Sequence, residues 1–112
     1  IIVHCVKKFY EVMAMKKYSG QAMIIHGFNK KQQVADDLLA HNFYLSFGKA
    51  ALYNLSLQEI LKRAPLEKIF LETDDKDFDI AELYLKTAEL KNISLESLLN
   101  QISENLQTIQ YG

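Results

Sequence analysis

Cysteine is nearly missing from this sequence, with one among 112 residues. A single thiol cannot close an internal disulfide. The fold is therefore not stapled, and a reducing compartment, the cytoplasm, is expected. A surplus of one charge sign is missing too. Thirteen Lys and Arg against fourteen Asp and Glu leave a formal net charge of -1. That excludes a broadly basic nucleic-acid binder but leaves room for a local basic patch. No apolar run approaches the ~18 residues that a membrane span requires, and no signal-peptide pattern is present, so no membrane partner is expected. Neither Gly-x-Gly-x-x-Gly nor a P-loop pattern occurs, which weakens a nucleotide-binding reading. There is one proline and no Pro/Ser-rich or low-complexity stretch, so no internal domain boundary is expected. An initiator Met is absent as well. The chain opens Ile1-Ile2-Val3-His4, in mid-strand, and is expected to be a piece of something longer.

What is present is a large apolar fraction, 49% of residues, enough to bury a core. It is arranged in alternating periods. Ile1–His4 reads as a strand. Val6, Phe9, Tyr10 and Met13 then follow helical spacing up to Gly20. Ala22–His26 is a second strand. Lys30–His41 is a helix with Val34, Ala35, Leu38 and Leu39 inward, Asn29 as its N-cap and Asn42 at its end. Phe43–Phe47 is a third strand. Ser56-Leu57-Gln58-Glu59 reads as a capping box opening a helix to Arg63, which Pro65 stops. Lys68–Thr73 is a fourth strand. Asp79 opens a helix with Ile80, Leu83, Tyr84 and Thr87 inward. Ser94 caps a last helix with Leu95, Leu98, Leu99, Ile102, Leu106 and Ile109 on one stripe.

Short strands that are apolar throughout and separated by helices imply a parallel sheet covered on both faces, hence an α/β fold. Strand ends near residues 4, 26, 46 and 73 have the spacing of βα units. A complete (β/α)8 TIM barrel needs about 250 residues. The expectation is a partial (β/α)8 barrel of about four parallel strands with flanking helices.

Parallel strands joined by helices bring their C-terminal ends to one rim, where ligands and catalytic groups collect. Three potential metal ligands fall at such ends: His4, His26 and Asp74. Two imidazoles and a carboxylate suit a divalent metal such as Zn²⁺, Mn²⁺ or Fe²⁺ with a position left for water. A histidine at a strand end also serves as a hydrogen-bonded structural residue, and both readings stand at this point. Glu72 lies two residues before Asp74, on the same side of its strand. A carboxylate inside Ile69-Phe70-Leu71-Glu72 is costly unless paired. It either orients a ligand or bound water, or makes a structural pair, for example with a nearby Lys.

Other polar residues have plainer explanations. Cys5 faces away from His4 and belongs to the core. His41 ends a helix, where the dipole favours a cation. Gly27 and Gly48 follow strand ends, in turns or at close approaches to a substrate. Asn29, Lys30 and Lys31 begin a helix whose N–H groups suit a phosphate, although a cap with solvated lysines accounts for them as well. Asp75, Lys76, Asp77 and Asp79 form a short solvated acidic loop.

At these positions the sequence resembles the TatD family of metal-dependent hydrolases, among the amidohydrolase-like TIM barrels. The matching stretches are Ile2-Val3-His4-Cys5, Ile24-Ile25-His26-Gly27-Phe28 and Phe43-Tyr44-Leu45-Ser46-Phe47-Gly48. They continue through Pro65-Leu66-Glu67-Lys68-Ile69-Phe70-Leu71-Glu72-Thr73-Asp74, Ile93-Ser94-Leu95-Glu96 and Glu104-Asn105. The resemblance covers essentially the whole chain. It implies a two-metal site with His4, His26 and Asp74 as ligands to divalent ions (Zn, Mn or Mg). Asp74 would also act catalytically on the attacking water, and Glu72 would support the ligands. It implies hydrolysis of phosphodiester bonds, with DNA as a possible substrate. Two departures stand out. The family's N-terminal His-x-His pair and bridging Glu are absent, and Asp75-Lys76-Asp77-Phe78 replaces the usual Ser-Pro-Tyr loop.

Residues 1–112 are accordingly expected to form the C-terminal half of one TatD-like barrel domain, with the N-terminal half absent. On that expectation the full-length parent is the enzyme and these residues alone are inactive. The alternative is a non-catalytic half-barrel serving as a structural or interaction module.

Overall fold

The computed structural model describes residues 2–4, 23–72 and 79–111, with backbone alone at 2–4, 110 and 111. Four strands, β1 (Ile2–His4), β2 (Met23–His26), β3 (Phe43–Phe47) and β4 (Ile69–Leu71), form one sheet in the order β1-β2-β3-β4. Every neighbouring pair is parallel. Helices α1 (Gln32–Ala40), α2 (Ala50–Tyr53), α3 (Leu55–Arg63), α4 (Ile80–Lys91) and α5 (Leu95–Tyr111) accompany it, with a 3-10 turn at Leu66–Lys68. This is the α/β arrangement of a partial (β/α)8 barrel. The helix expected between Val6 and Gly20 lies outside the described residues.

Alternation along the strands sorts side chains onto two faces. Met23 and Ile25, Phe43, Leu45 and Phe47, and Ile69 and Leu71 join the apolar core. Leu38, Leu57, Ile60, Leu61, Leu83 and Leu98 come to it from the helices. Each such large side chain contributes about 1.5–3 kcal/mol by leaving water. Phe28, just past β2, sets its ring edge-on to Phe47 with centroids 5.8 Å apart. The opposite face carries Ile24, Tyr44 and Phe70. The Tyr44 and Phe70 rings lie 5.6 Å apart, and the Lys68 ammonium sits 4.4 Å from the Tyr44 ring centre.

The helix faces follow the expected spacing in α1, α3 and α4, but two N-caps differ. Helix α1 begins at Gln32 with Lys31 as N-cap and no side-chain cap, so Asn29 is not the cap. Helix α3 begins earlier than the Ser56 pattern suggests, because the Asn54 side chain accepts from the Leu57 N–H at 3.1 Å. The four-residue helix α2 fills the stretch before it and had no periodic signal. Pro65 does stop α3: Ala64 before it is extended, at ψ 140°. Asn42 and Asn92 take left-handed φ values of 64° and 55° and end α1 and α4. Burial draws the Lys91 ammonium below its ordinary pKa, with the Glu67 charge opposing that shift. Its Nζ donates to the carbonyls of Lys62 (3.0 Å) and Ala64 at the end of α3.

Helix α5 corrects the expected stripe. Ser94 caps it through the Ser97 N–H at 3.1 Å. Leu98 is fully buried, yet Leu95, Leu99 and Leu106 are exposed. The buried partner one heptad beyond Leu98 is Asn105. Its Nδ2 donates to the carbonyls of Leu66 (3.0 Å) and Ile69 (2.9 Å), and its Oδ1 accepts from Gln101 at 2.9 Å. Two backbone acceptors at the entry to β4 therefore depend on one amide.

Three stability outcomes follow at two positions, all measurable by urea unfolding. Asn105→Leu keeps the volume but strands those carbonyls, and is expected to cost about 2–3 kcal/mol. Asn105→Asp, which turns an acceptor towards them, is expected to cost more. Gly27 turns the chain after β2 at φ +65°, so Gly27→Ala is expected to cost about 1–2 kcal/mol. A neutral result at either position would contradict these assignments.

Candidate metal centre

The C-terminal ends of three neighbouring strands meet at Glu72. β2 delivers His26 as its last residue, β3 delivers Ser46, and Glu72 follows the last residue of β4. Strand register brings them to the same end of the sheet. Ile25 is opposite Leu45, and Ser46 is opposite Phe70. Continuing each pairing places His26 beside Ser46 and Glu72 just beyond. All three occupy the face that alternates with the core face.

Glu72 Oε2 takes two contacts. It forms an ion-pair contact with His26 Nδ1, and it accepts from the Ser46 hydroxyl at 2.7 Å. The Glu72 side chain is only 15% exposed and that of His26 26%. The costly carboxylate at the end of an apolar strand is thus answered by donors from β3, its neighbour, and from β2, the strand beyond. The sequence left open a structural lysine partner for Glu72. Here Lys68 turns instead to Asn42 and the Tyr44 ring.

Two glycines stand close to this carboxylate. A Cβ on Gly27 would lie 3.6 Å from Glu72 Oε1, and one on Gly48 3.6 Å from Glu72 Cγ. The main chain of β3 fixes both neighbours. The Phe28 N–H donates to the Ser46 carbonyl and the Glu72 N–H to the Phe47 carbonyl, each at 2.9 Å.

His4 ends β1, and its backbone pairs in register with His26. The two histidine positions therefore lie on adjacent strands at one level, where parallel strands are about 4.8 Å apart. Asp74, with Cys5 and the Asp75–Asp77 stretch, lies outside the described residues. Among the described residues, no group of three or more His, Cys, Asp or Glu converges to hold a metal ion. His41 stays at the end of α1, its Nδ1 2.7 Å from the Asp37 carbonyl. Lys30 and Lys31 line a groove of about 480 Å³ with Asn29, Asn54 and Ser56, at the starts of α1 and α3.

Ser46 is the participant that pattern reading did not single out. Its signal was a polar residue inside Phe43-Tyr44-Leu45-Ser46-Phe47, a strand buried at every position.

No helix among the described residues is long and apolar enough to cross a membrane. The family model described as TatD related DNase matches residues 1–110. An uncharacterized metal-dependent hydrolase, YabD of Bacillus subtilis, is 24% identical over 127 residues, covering 97% of this chain and 50% of the relative. The crystal structure of a TatD family hydrolase from Entamoeba histolytica superposes with a TM-score of 0.84 at 17% identity, covering 97% of this chain and 50% of that one. YjjV, a TatD homolog from Escherichia coli K12, gives 0.81 at 17% identity, covering 96% and 48%. An uncharacterized amidohydrolase from Saccharomyces cerevisiae gives 0.81 at 11% identity, covering 96% and 52%. The chain thus spans about half the length of the relatives it matches. With four parallel strands, the His26–Glu72 pair at their rim and a family match across nearly every residue, the chain belongs to the TatD related DNase family.

Proposed function

We propose that this chain carries part of the metal centre of a hydrolase that cleaves phosphodiester bonds, with DNA among its candidate substrates. His4, His26 and Asp74 are the metal ligands in this reading, and Asp74 also accepts the proton of the attacking water. The observation that carries it is the grip of Glu72 on His26 Nδ1.

That donor chemistry fits a divalent ion. A carboxylate oxygen only accepts, so the contact from Nδ1 is made by its N–H. The lone pair of a neutral ring then lies on Nε2, the nitrogen that would ligate. Histidines that ligate metals are characteristically held in this way by a carboxylate at the other ring nitrogen. The register of His4 with His26 supports a second imidazole at the same level. A bound divalent ion (Zn, Mn or Mg) would supply Lewis acidity, lowering the pKa of water and offsetting phosphate charge.

The chain's own residues do the rest. His26 is oriented by Glu72. Glu72 is held at the rim by the Ser46 hydroxyl and the His26 ring. Asp74 follows Glu72 by two residues in the sequence. As general base it would contribute about 10²–10⁴-fold.

The test uses the full-length protein, stripped of metal by a chelator and then given back Zn²⁺, Mn²⁺ or Mg²⁺. Hydrolysis of single-stranded DNA and of bis(4-nitrophenyl) phosphate is expected to vanish and return. Asp74→Asn is expected to lower kcat/KM by at least about 100-fold. Glu72→Gln is expected to weaken metal affinity about 10–100-fold. Turnover indifferent to the chelator, or wild-type rates in Asp74→Asn, would sink the reading.

A further inference from the structure

Three polar residues are fully buried among the described residues: Ser46, Thr87 and Asn105. Two have local or backbone duties. The Thr87 hydroxyl donates to the Leu83 carbonyl one turn back, at 2.7 Å. Asn105 holds the carbonyls before β4. Ser46 is different. It is only 3% exposed, and its hydroxyl reaches a carboxylate 26 residues away. Valine or isoleucine would suit its strand better, so the hydroxyl is the feature to be explained.

We propose that Ser46 is a positioning residue. Its hydroxyl locks the Glu72 carboxylate so that Oε2 meets His26 Nδ1, which sets the tautomer and direction of the His26 ring. The proposal rests on the reading of His26 as a metal ligand. A carboxylate on a flexible side chain can rotate about its terminal torsion, which is broad. The 2.7 Å contact removes that freedom by engaging the same oxygen that faces the ring. The Ser46 backbone adds to this, since its carbonyl accepts from Phe28 N–H at 2.9 Å, two residues after His26. One residue therefore references both members of the pair to β3. Loss of the hydroxyl leaves Glu72 Oε2 without that donor, so the carboxylate can turn from Nδ1 and the Nδ1–H form of the ring is less favoured.

The decisive measurement reads the ring itself, in the metal-free full-length protein. Two-bond ¹⁵N–¹H correlation spectra of ¹⁵N-histidine-labelled material report which His26 nitrogen bears the proton. Wild type is expected to show the Nδ1–H form. Ser46→Ala is expected to show a substantial Nε2–H population, and Ser46→Thr, which restores a hydroxyl, is expected to recover the wild-type pattern. Titration with Zn²⁺ alone is expected to give an affinity for Ser46→Ala about 10-fold weaker than wild type. An unchanged tautomer pattern in Ser46→Ala overturns the proposal, whatever the behaviour of Ser46→Thr. A redistributed pattern in a protein whose wild type binds no metal sustains the positioning of His26 and overturns the metal-ligand reading instead.

Discussion

Everything at the rim depends on one unfavourable placement made tolerable: a carboxylate, Glu72, at the end of an apolar strand. Left alone there, its desolvation would cost several kcal/mol or drive the group out into water. Instead two donors converge on a single oxygen, the Ser46 hydroxyl from β3 and His26 Nδ1 from β2. Both come from strands adjacent to each other, so the pair exists only if the sheet is assembled in this order. The polar contact is in that sense a product of the strand order β2-β3-β4. The histidine gains an orientation from an interaction whose first role is to satisfy a carboxylate.

The turn beside this carboxylate has its own requirement. A Cβ on Gly27 or Gly48 would meet Glu72 only at ordinary van der Waals distance, so the constraint is Gly27's positive φ. An L side chain at Gly27 would strain that turn, which sits directly after the histidine it helps to aim. The β3 carbonyls complete the arrangement. Ser46 and Phe47 receive the N–H groups of Phe28 and Glu72, extending the sheet's hydrogen bonding past the formal strand ends. The rim is thus built from main chain as much as from side chains.

Much of this was legible in the residues, for identifiable reasons. The run Phe43–Phe47 declared its strand through unbroken apolar character, and it is buried at every position. Leu57, Ile60 and Leu61 declared a helix face because their spacing has no strand counterpart. His26 and Glu72 stood out because charged or titratable groups seldom end apolar strands without a partner. What escaped was of two kinds. Asn54 and Ser56 both suit an N-cap, and only the fold selects Asn54. In α5, leucines at helical spacing suggested a core stripe, yet the sheet-facing position falls to Asn105, whose amide serves carbonyls that are far away in sequence. Ser46 escaped for the same reason. Its partner lies across the sheet, and no local pattern encodes a contact between strands.

The register carries two functions at once. Because strand side chains alternate, the residues that fill the core and those that reach the site must differ by one position on every strand. Ile25 and His26, Leu45 and Ser46, and Leu71 and Glu72 are three such adjacent pairs, in each of which the first packs the core and the second faces the site. A slip of one residue in any strand would put a leucine or isoleucine on the polar face and a charged or polar group into the core. Both errors cost stability, so core packing protects the geometry of the site without any residue of the site contributing to the core. That coupling explains how His26, Ser46 and Glu72, separated by twenty or more residues at each step, are held to contact distance. The apolar residues beside them set the register, and the polar contacts then need only the last ångström of adjustment.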